Sequence, residues 1–97
     1  MLSGKQRAYL RSIGTNLDAI FQLGKNGIEE GFLNQIEEAL EAKEIIKVNV
    51  LRNSEYDARE ACDEICSRID AEPIQVIGNK FVIYKKSKKN PRIQLPR

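Results

Sequence analysis

Residues 19–43 constrain the fold more tightly than any other part of this 97-residue chain. Ala19-Ile20-Phe21-Gln22-Leu23 reads as a strand and Gly24-Lys25-Asn26-Gly27 as a turn. The stretch from Ile28 to Lys43 reads as a helix with Ile28, Phe32, Leu33, Ile36, Ala39 and Leu40 on one stripe. A strand that passes into a helix through so short a turn is the start of a βα crossover. It commits the chain to a sheet containing a parallel pair, with a helix on one face and a right-handed connection.

The flanking segments extend this pattern. Ser3 with Gln6 three residues on is a capping-box start, so a first helix is expected from Ser3 to about Ile13, stopping at Gly14. Gln6, Tyr9, Leu10 and Ile13 share its inward side, which sets Arg7 and Arg11 toward another. Ile45–Arg52 alternates Ile46, Val48 and Val50 against Lys47 and Asn49, the signature of a second strand. Ser54 caps a third helix that runs to about Ile69 and buries Ala58, Cys62, Ile65 and Ile69. Pro73 prevents its continuation, Ile74–Ile77 is strand three, Gly78-Asn79 is a two-residue hairpin turn and Phe81–Tyr84 is strand four. The expected order is α-β-α-β-α-β-β. It makes an α/β domain with a mixed sheet of about four strands spanning residues 1–97, of which 85–97 form a basic, irregular C-terminal segment.

The modest net charge of +2 conceals a segregated distribution. Residues 1–28 carry four basic side chains and one acidic, residues 29–72 carry 13 acidic and five basic, and residues 73–97 carry seven basic and none acidic. If the two ends meet in the fold, they form a cationic face opposite an acidic one. The chain has no apolar run near the roughly 20 residues of a membrane span, and its N-terminus lacks a secretion-signal pattern. A cytoplasmic, monomeric protein is the expectation. Cys62 and Cys66, four apart on a helix, read as small buried apolar groups rather than a redox pair. With no histidine and no third cysteine, no ordinary nitrogen-and-sulfur zinc site can be completed, and neither a metal nor a cofactor is expected.

The turn at Gly24–Gly27 is the candidate site. Two glycines bracketing Lys25 and Asn26 leave backbone N–H groups uncovered near a helix start, and Lys25 adds a mobile positive charge. The ordinary alternative is a glycine turn kept for steric reasons. The turn lacks the spacing and the following Ser or Thr of a nucleotide-binding P-loop, and the third glycine of a dinucleotide fingerprint. The glutamates of the second helix (Glu29, Glu30, Glu37, Glu38 and Glu41) read as a solvated surface, since no other group converges on them.

The order of motifs is more specific than any one of them. Lys5-Gln6-Arg7 with Leu10-Arg11, Leu23-Gly24-Lys25-Asn26-Gly27, Ala39-Leu40-Glu41 with Glu44-Ile45-Ile46-Lys47-Val48, Val76-Ile77-Gly78 with Val82-Ile83-Tyr84-Lys85, and Ile93-Gln94-Leu95-Pro96 follow in sequence. In this the chain resembles the CRM domain (chloroplast RNA splicing and ribosome maturation), and within it the stand-alone bacterial YhbY-type proteins, over its whole length. The resemblance implies a fold like the C-terminal domain of the third translation initiation factor, and RNA binding through a G-x-x-G loop. It also implies a partner in large-subunit ribosomal RNA or its precursor particle. Carried onto this sequence, the loop is Gly24, Lys25, Asn26 and Gly27, the first helix supplies Lys5, Arg7 and Arg11, and the hairpin and tail add Lys80, Lys85 and Lys86. One departure is Glu29, where the resemblance implies Ser or Thr. A carboxylate there suits the helix dipole but repels phosphate.

The expected mechanism is recognition of RNA backbone and shape, because the six Phe and Tyr residues read as mostly buried and leave little for base stacking. A rival of another class is an adaptor whose acidic helix surfaces bind a basic ribosomal protein or assembly factor. An enzyme acting on phosphate esters fits poorly, since the only carboxylates near the loop are Glu29 and Glu30. No enzymatic activity is expected.

Overall fold

A computed structural model describes residues 2–97. The elements follow the order α1 (Gly4–Thr15), β1 (Ala19–Leu23), α2 (Glu30–Lys43), β2 (Ile45–Val50), α3 (Ala58–Ile69), β3 (Glu72–Ile77) and β4 (Lys80–Tyr84). The four strands form one sheet in the order β1-β2-β4-β3. β1 and β2 are parallel, and β4 is antiparallel to both of its neighbours. β1, β2 and β3 therefore point the same way. Their C-terminal ends gather the Gly24–Gly27 turn, the Leu51–Asp57 loop and the Gly78-Asn79 hairpin at one end of the sheet.

The two faces of the sheet are covered unequally. α2 and α3 pack on one face, where Leu33, Ile36, Leu40, Ala61, Cys62 and Ile65 meet Leu23, Ile46, Val48, Phe81 and Ile83 in the main core. The buried cysteines belong to this core; the hydrogen bond to Cys62, together with burial, pushes the Cys66 thiol up. α1 lies on the other face, with Leu10 against Ile45, Ile74, Val82 and Tyr84. The acidic helices and the basic N-terminal helix thus occupy opposite sides of the sheet.

Local sequence accounts for most element ends. Ser3 accepts from the Gln6 N–H while Gln6 returns a bond to the Ser3 N–H, as the spacing predicts. Other boundaries differ from expectation for identifiable reasons. α1 continues through Gly14 to Thr15, and a Cβ at Gly14 would lie 2.9 Å from a Val82 methyl. Gly14 serves close helix–sheet contact rather than termination. The cap of α3 is Asp57, paired with Glu60 in its own capping box, and the Ser54 hydroxyl accepts from Tyr56 N–H just ahead of it. α2 begins at Glu30 rather than Ile28. β2 ends at Val50, since Leu51, Arg52 and Asn53 leave the sheet. β3 starts at Glu72 and carries Pro73 within it, which an edge strand tolerates because one side of its backbone has no partner strand.

The C-terminal segment is not a free tail. Ile93 and Leu95 pack against the α1 side cluster, and the Gln6 side-chain amide donates to the Pro96 carbonyl at 3.0 Å. The anchor is Glu44, fully buried at the C-cap of α2 in the left-handed conformation (φ 68°). Its carboxylate accepts the backbone N–H groups of Ser87, Arg92 and Ile93. Burial alone raises its pKa, but these three donors outweigh that and hold it below the ordinary carboxylate value. Glu41 binds the same segment through Lys88 N–H, the Ser87 hydroxyl and Lys89 N–H, which lower its pKa to about 2.

Candidate nucleic-acid interface

The Gly24–Gly27 turn is built from backbone outward. Gly27 N–H donates to the Gly24 carbonyl at 3.2 Å, closing a four-residue turn with Lys25 and Asn26 exposed at its tip. Gly27 has φ +74°, a conformation natural to glycine and strained for other residues. Gly24 has no such requirement. A Cβ there would meet Asn53 Oδ1 at 3.4 Å and a Leu51 methyl at 3.5 Å, ordinary contacts that the fold accepts. The steric explanation therefore accounts for Gly27 and leaves Gly24 without a structural reason.

The turn rests on a stiff base. Leu51 N–H donates to the Leu23 carbonyl at 2.8 Å, tying the loop after β2 to the end of β1. Phe21 meets Phe32 of α2 edge to face, with ring centroids 6.1 Å apart, which fixes the strand and helix on either side of the turn. Behind it, Arg68 of α3 reaches the Ile28 carbonyl at 3.5 Å while bound to Glu64 at 2.7 Å.

In front of this base is an open hollow of about 380 Å³ bordered by Gln22, Lys25, Asn26, Glu29, Phe32 and Gln35. Among the described residues, the N–H groups of Lys25 and Asn26 make no backbone hydrogen bond, and the Lys25 ammonium makes no ion pair. The hollow thus combines free backbone donors with a free cation, a combination suited to a phosphodiester. The helix contributes less than its position in sequence implies. Ile28 and Glu29 separate the turn from α2, whose N-cap is Glu29 with no side-chain capping bond and whose first turn contains Glu30. These carboxylates offset the positive end of the helix dipole, so binding here relies on the turn itself.

The remaining predicted cations divide into groups. Lys80 is exposed at the start of β4, at the same end of the sheet as the turn. Lys5 and Arg11 are exposed on α1. Arg7 is half-buried, donating to the Pro73 carbonyl at 2.8 Å and lying 3.6 Å from Glu72. Lys85 is also engaged internally: its ammonium donates to the Ile69 carbonyl at the end of α3 at 2.6 Å and lies 3.9 Å from Glu37. Lys86 is exposed, yet it follows the C-terminal end of β4, at the opposite end of the sheet from the turn.

Two features escaped the sequence reading. Lys47, expected to face solvent, is only 9% exposed. Tyr9, expected to face inward, is 41% exposed, because α1 turns Leu10 and Gly14 toward the sheet. The alternation of β2 could not disclose the first, since α1 covers the side of the sheet on which Lys47 stands.

Fold and site together define a small α/β module that offers a glycine turn and free cations at one end of a mixed sheet. The family model for the CRS1 / YhbY (CRM) domain matches residues 2–85, and the chain belongs to that family. It is 46% identical over 96 residues to the Bacillus subtilis (strain 168) protein named "Probable RNA-binding protein YqeI", covering 99% of this chain and 100% of that one. A Haemophilus influenzae protein named "RNA-binding protein" is 36% identical, with 99% and 96% covered. The solution structure of a hypothetical protein from Staphylococcus aureus superposes with a TM-score of 0.74 at 45% identity, covering 99% of this chain and all of that one.

Proposed function

We propose that this protein binds structured RNA, gripping the sugar–phosphate backbone in the Gly24–Gly27 turn, and that its target is ribosomal RNA of the large subunit during assembly. The observation that carries the reading is the turn itself: Lys25 and Asn26 present unpaired N–H groups in an open hollow, and Gly24 admits close backbone approach without any structural need for glycine. The names of its curated relatives support RNA as the polymer. Lys25, Arg11, Lys5 and Lys80 neutralise phosphates, whereas Arg7 and Lys85 hold β3 and α3 in place and act on RNA only through the shape they maintain. Lys86 adds to the field from the far end of the sheet. Crosslinking in cells followed by sequencing of bound RNA tests the target. Enrichment of large-subunit ribosomal RNA supports it, and enrichment of unrelated RNAs contradicts it.

A second reading rests on the exposed carboxylates of α2 and α3, including Glu37, Glu38, Glu60 and Asp63. They form an acidic surface on the other side of the molecule, suited to a basic ribosomal protein or assembly factor. Such binding is unchanged in Lys25→Ala, whereas RNA binding through the turn weakens.

A further inference from the structure

The side of the sheet that carries α1 is only partly covered. Leu10 rests on Ile45, Ile74, Val82 and Tyr84, and Gly14 presses on Val82. Beyond Val82, toward the end of the sheet that bears the turn, the face is open. One row of residues crosses all four strands there: Gln22 pairs with Asn49, Asn49 with Lys80, and Lys80 with Ile77. Beside this row is a depression of about 180 Å³ lined by Lys47, Ile77, Lys80 and Val82. Ile77 is 49% exposed and Ile20, which strand alternation sets on this side opposite the buried Leu23 and inward-packed Phe21, is 46% exposed.

We propose that this shelf holds an unpaired stretch of RNA adjoining the structured element gripped by the turn, a reading that rests on the turn being an RNA contact. Charge favours it. Lys80 is exposed and has no ion-pair partner among the described residues; Lys47, largely buried, borders the depression and has none either. The only acidic residue in the four strands, Glu72, lies at the other end of the sheet against Arg7. Apolar chemistry narrows the class. Ile20 and Ile77 gain little from a duplex, whose base faces are covered by stacking, but they can bury against splayed bases. A polar group completes the surface. The Gln22 amide is exposed for base edges or 2′-hydroxyls. Gln22 also borders the hollow at the turn, so one RNA chain can pass from the turn onto the shelf without leaving the protein.

The test compares a blunt RNA hairpin with the same hairpin carrying an unpaired extension of about eight nucleotides. The wild-type protein should bind the extended RNA about tenfold more tightly. The variant Ile20→Ser/Ile77→Ser should lose that gain while binding the blunt hairpin as before, with an unchanged thermal melt. Should the double variant melt early, Ile77→Ser alone, at the exposed hairpin, carries the same comparison. Lys25→Ala should weaken both RNAs and retain the gain. Equal binding of the two RNAs by wild type, or a gain that survives in the serine variant, overturns the shelf. Failure of wild type to bind either RNA overturns the reading of the turn instead. A concentration-dependent dimer in sedimentation that the serine variant abolishes assigns the face to a second copy of the chain, and also overturns the proposal.

Discussion

The Glu44 carboxylate accepts the Ile93 backbone N–H at 2.7 Å across 49 positions of sequence, and this bond seats the C-terminal segment on the domain. With Ser87 and Arg92 it makes Glu44 the fixed point of the tail. The end of the tail, through Ile93, Leu95 and Pro96, consequently reaches the α1 side, while Lys85, Lys86 and Lys88 border the α2 carboxylates Glu37, Glu38 and Glu41.

The latch has a defined pH dependence. Glu41 and Glu44 have folded pKa values below the ordinary 4.5, so their contribution to stability is present in full above that value. It is lost as pH falls through the folded values, in the window from about 4.5 down to about 2 for Glu41. In a nuclear magnetic resonance titration, the amide signals of Ser87, Lys88, Arg92 and Ile93 should move together over that window. Glu44→Gln should weaken the latch at neutral pH. Signals of the tail that stay unperturbed in that variant contradict its role.

Gly14→Ala should destabilise the protein by about 1–3 kcal/mol, since the added methyl meets a β-branched Val82 that has little freedom to yield. The loss should appear as a lower denaturant midpoint with an unchanged slope. Gly4→Ala, where no described residue lies within 4 Å of the added methyl, serves as the control and should leave the midpoint close to wild type.

Lys85→Ala should cost stability rather than RNA affinity. Its ammonium satisfies the Ile69 carbonyl at the end of α3, and a hydrogen bond from a charged donor is worth about 1.5–3 kcal/mol. Under conditions where the variant is folded, its RNA affinity should fall less than that of Lys25→Ala. The opposite order would place Lys85 in the interface.

The two glycines of the turn should separate fold from function. Gly27→Ala places a side chain at φ +74° and should lose about 1 kcal/mol of stability. Gly24→Ala should leave stability near wild type and weaken RNA binding, because its methyl occupies the approach to the turn and clashes with nothing in the fold. Equal RNA affinity for Gly24→Ala and wild type contradicts close backbone approach at this glycine.

These distinctions show where sequence reading ends. β1 is legible to the residue because apolar character and a flanking Gly-Lys-Asn-Gly turn mark both its extent and its exit. The order of elements, the Ser3 capping box and the hairpin turn at Gly78-Asn79, where Gly78 has φ +58°, are likewise local features. What sequence conceals is contact between distant segments. Gly14 looks like a helix stop until Val82 is seen beneath it. Arg7 and Lys85 look like free cations, and their partners at Pro73, Glu72 and Ile69 lie on elements that no local pattern connects to them. Glu41 looks like one more solvated carboxylate, yet it binds a segment more than forty positions away. The turn was visible as a phosphate-facing device, but its separation from the helix start by Ile28 and Glu29 was not. That separation shifts the expected work from helix dipole to turn backbone and Lys25.

The most direct test of that account is the salt dependence of RNA binding by Lys25→Ala/Arg11→Ala. Each lost phosphate contact should reduce the slope of log affinity against log salt by about 0.7–0.9, so the double variant should bind more weakly with a slope shallower by about 1.5. A slope equal to that of wild type would show that neither side chain neutralises phosphate, and would contradict the assignment of this turn as the RNA grip.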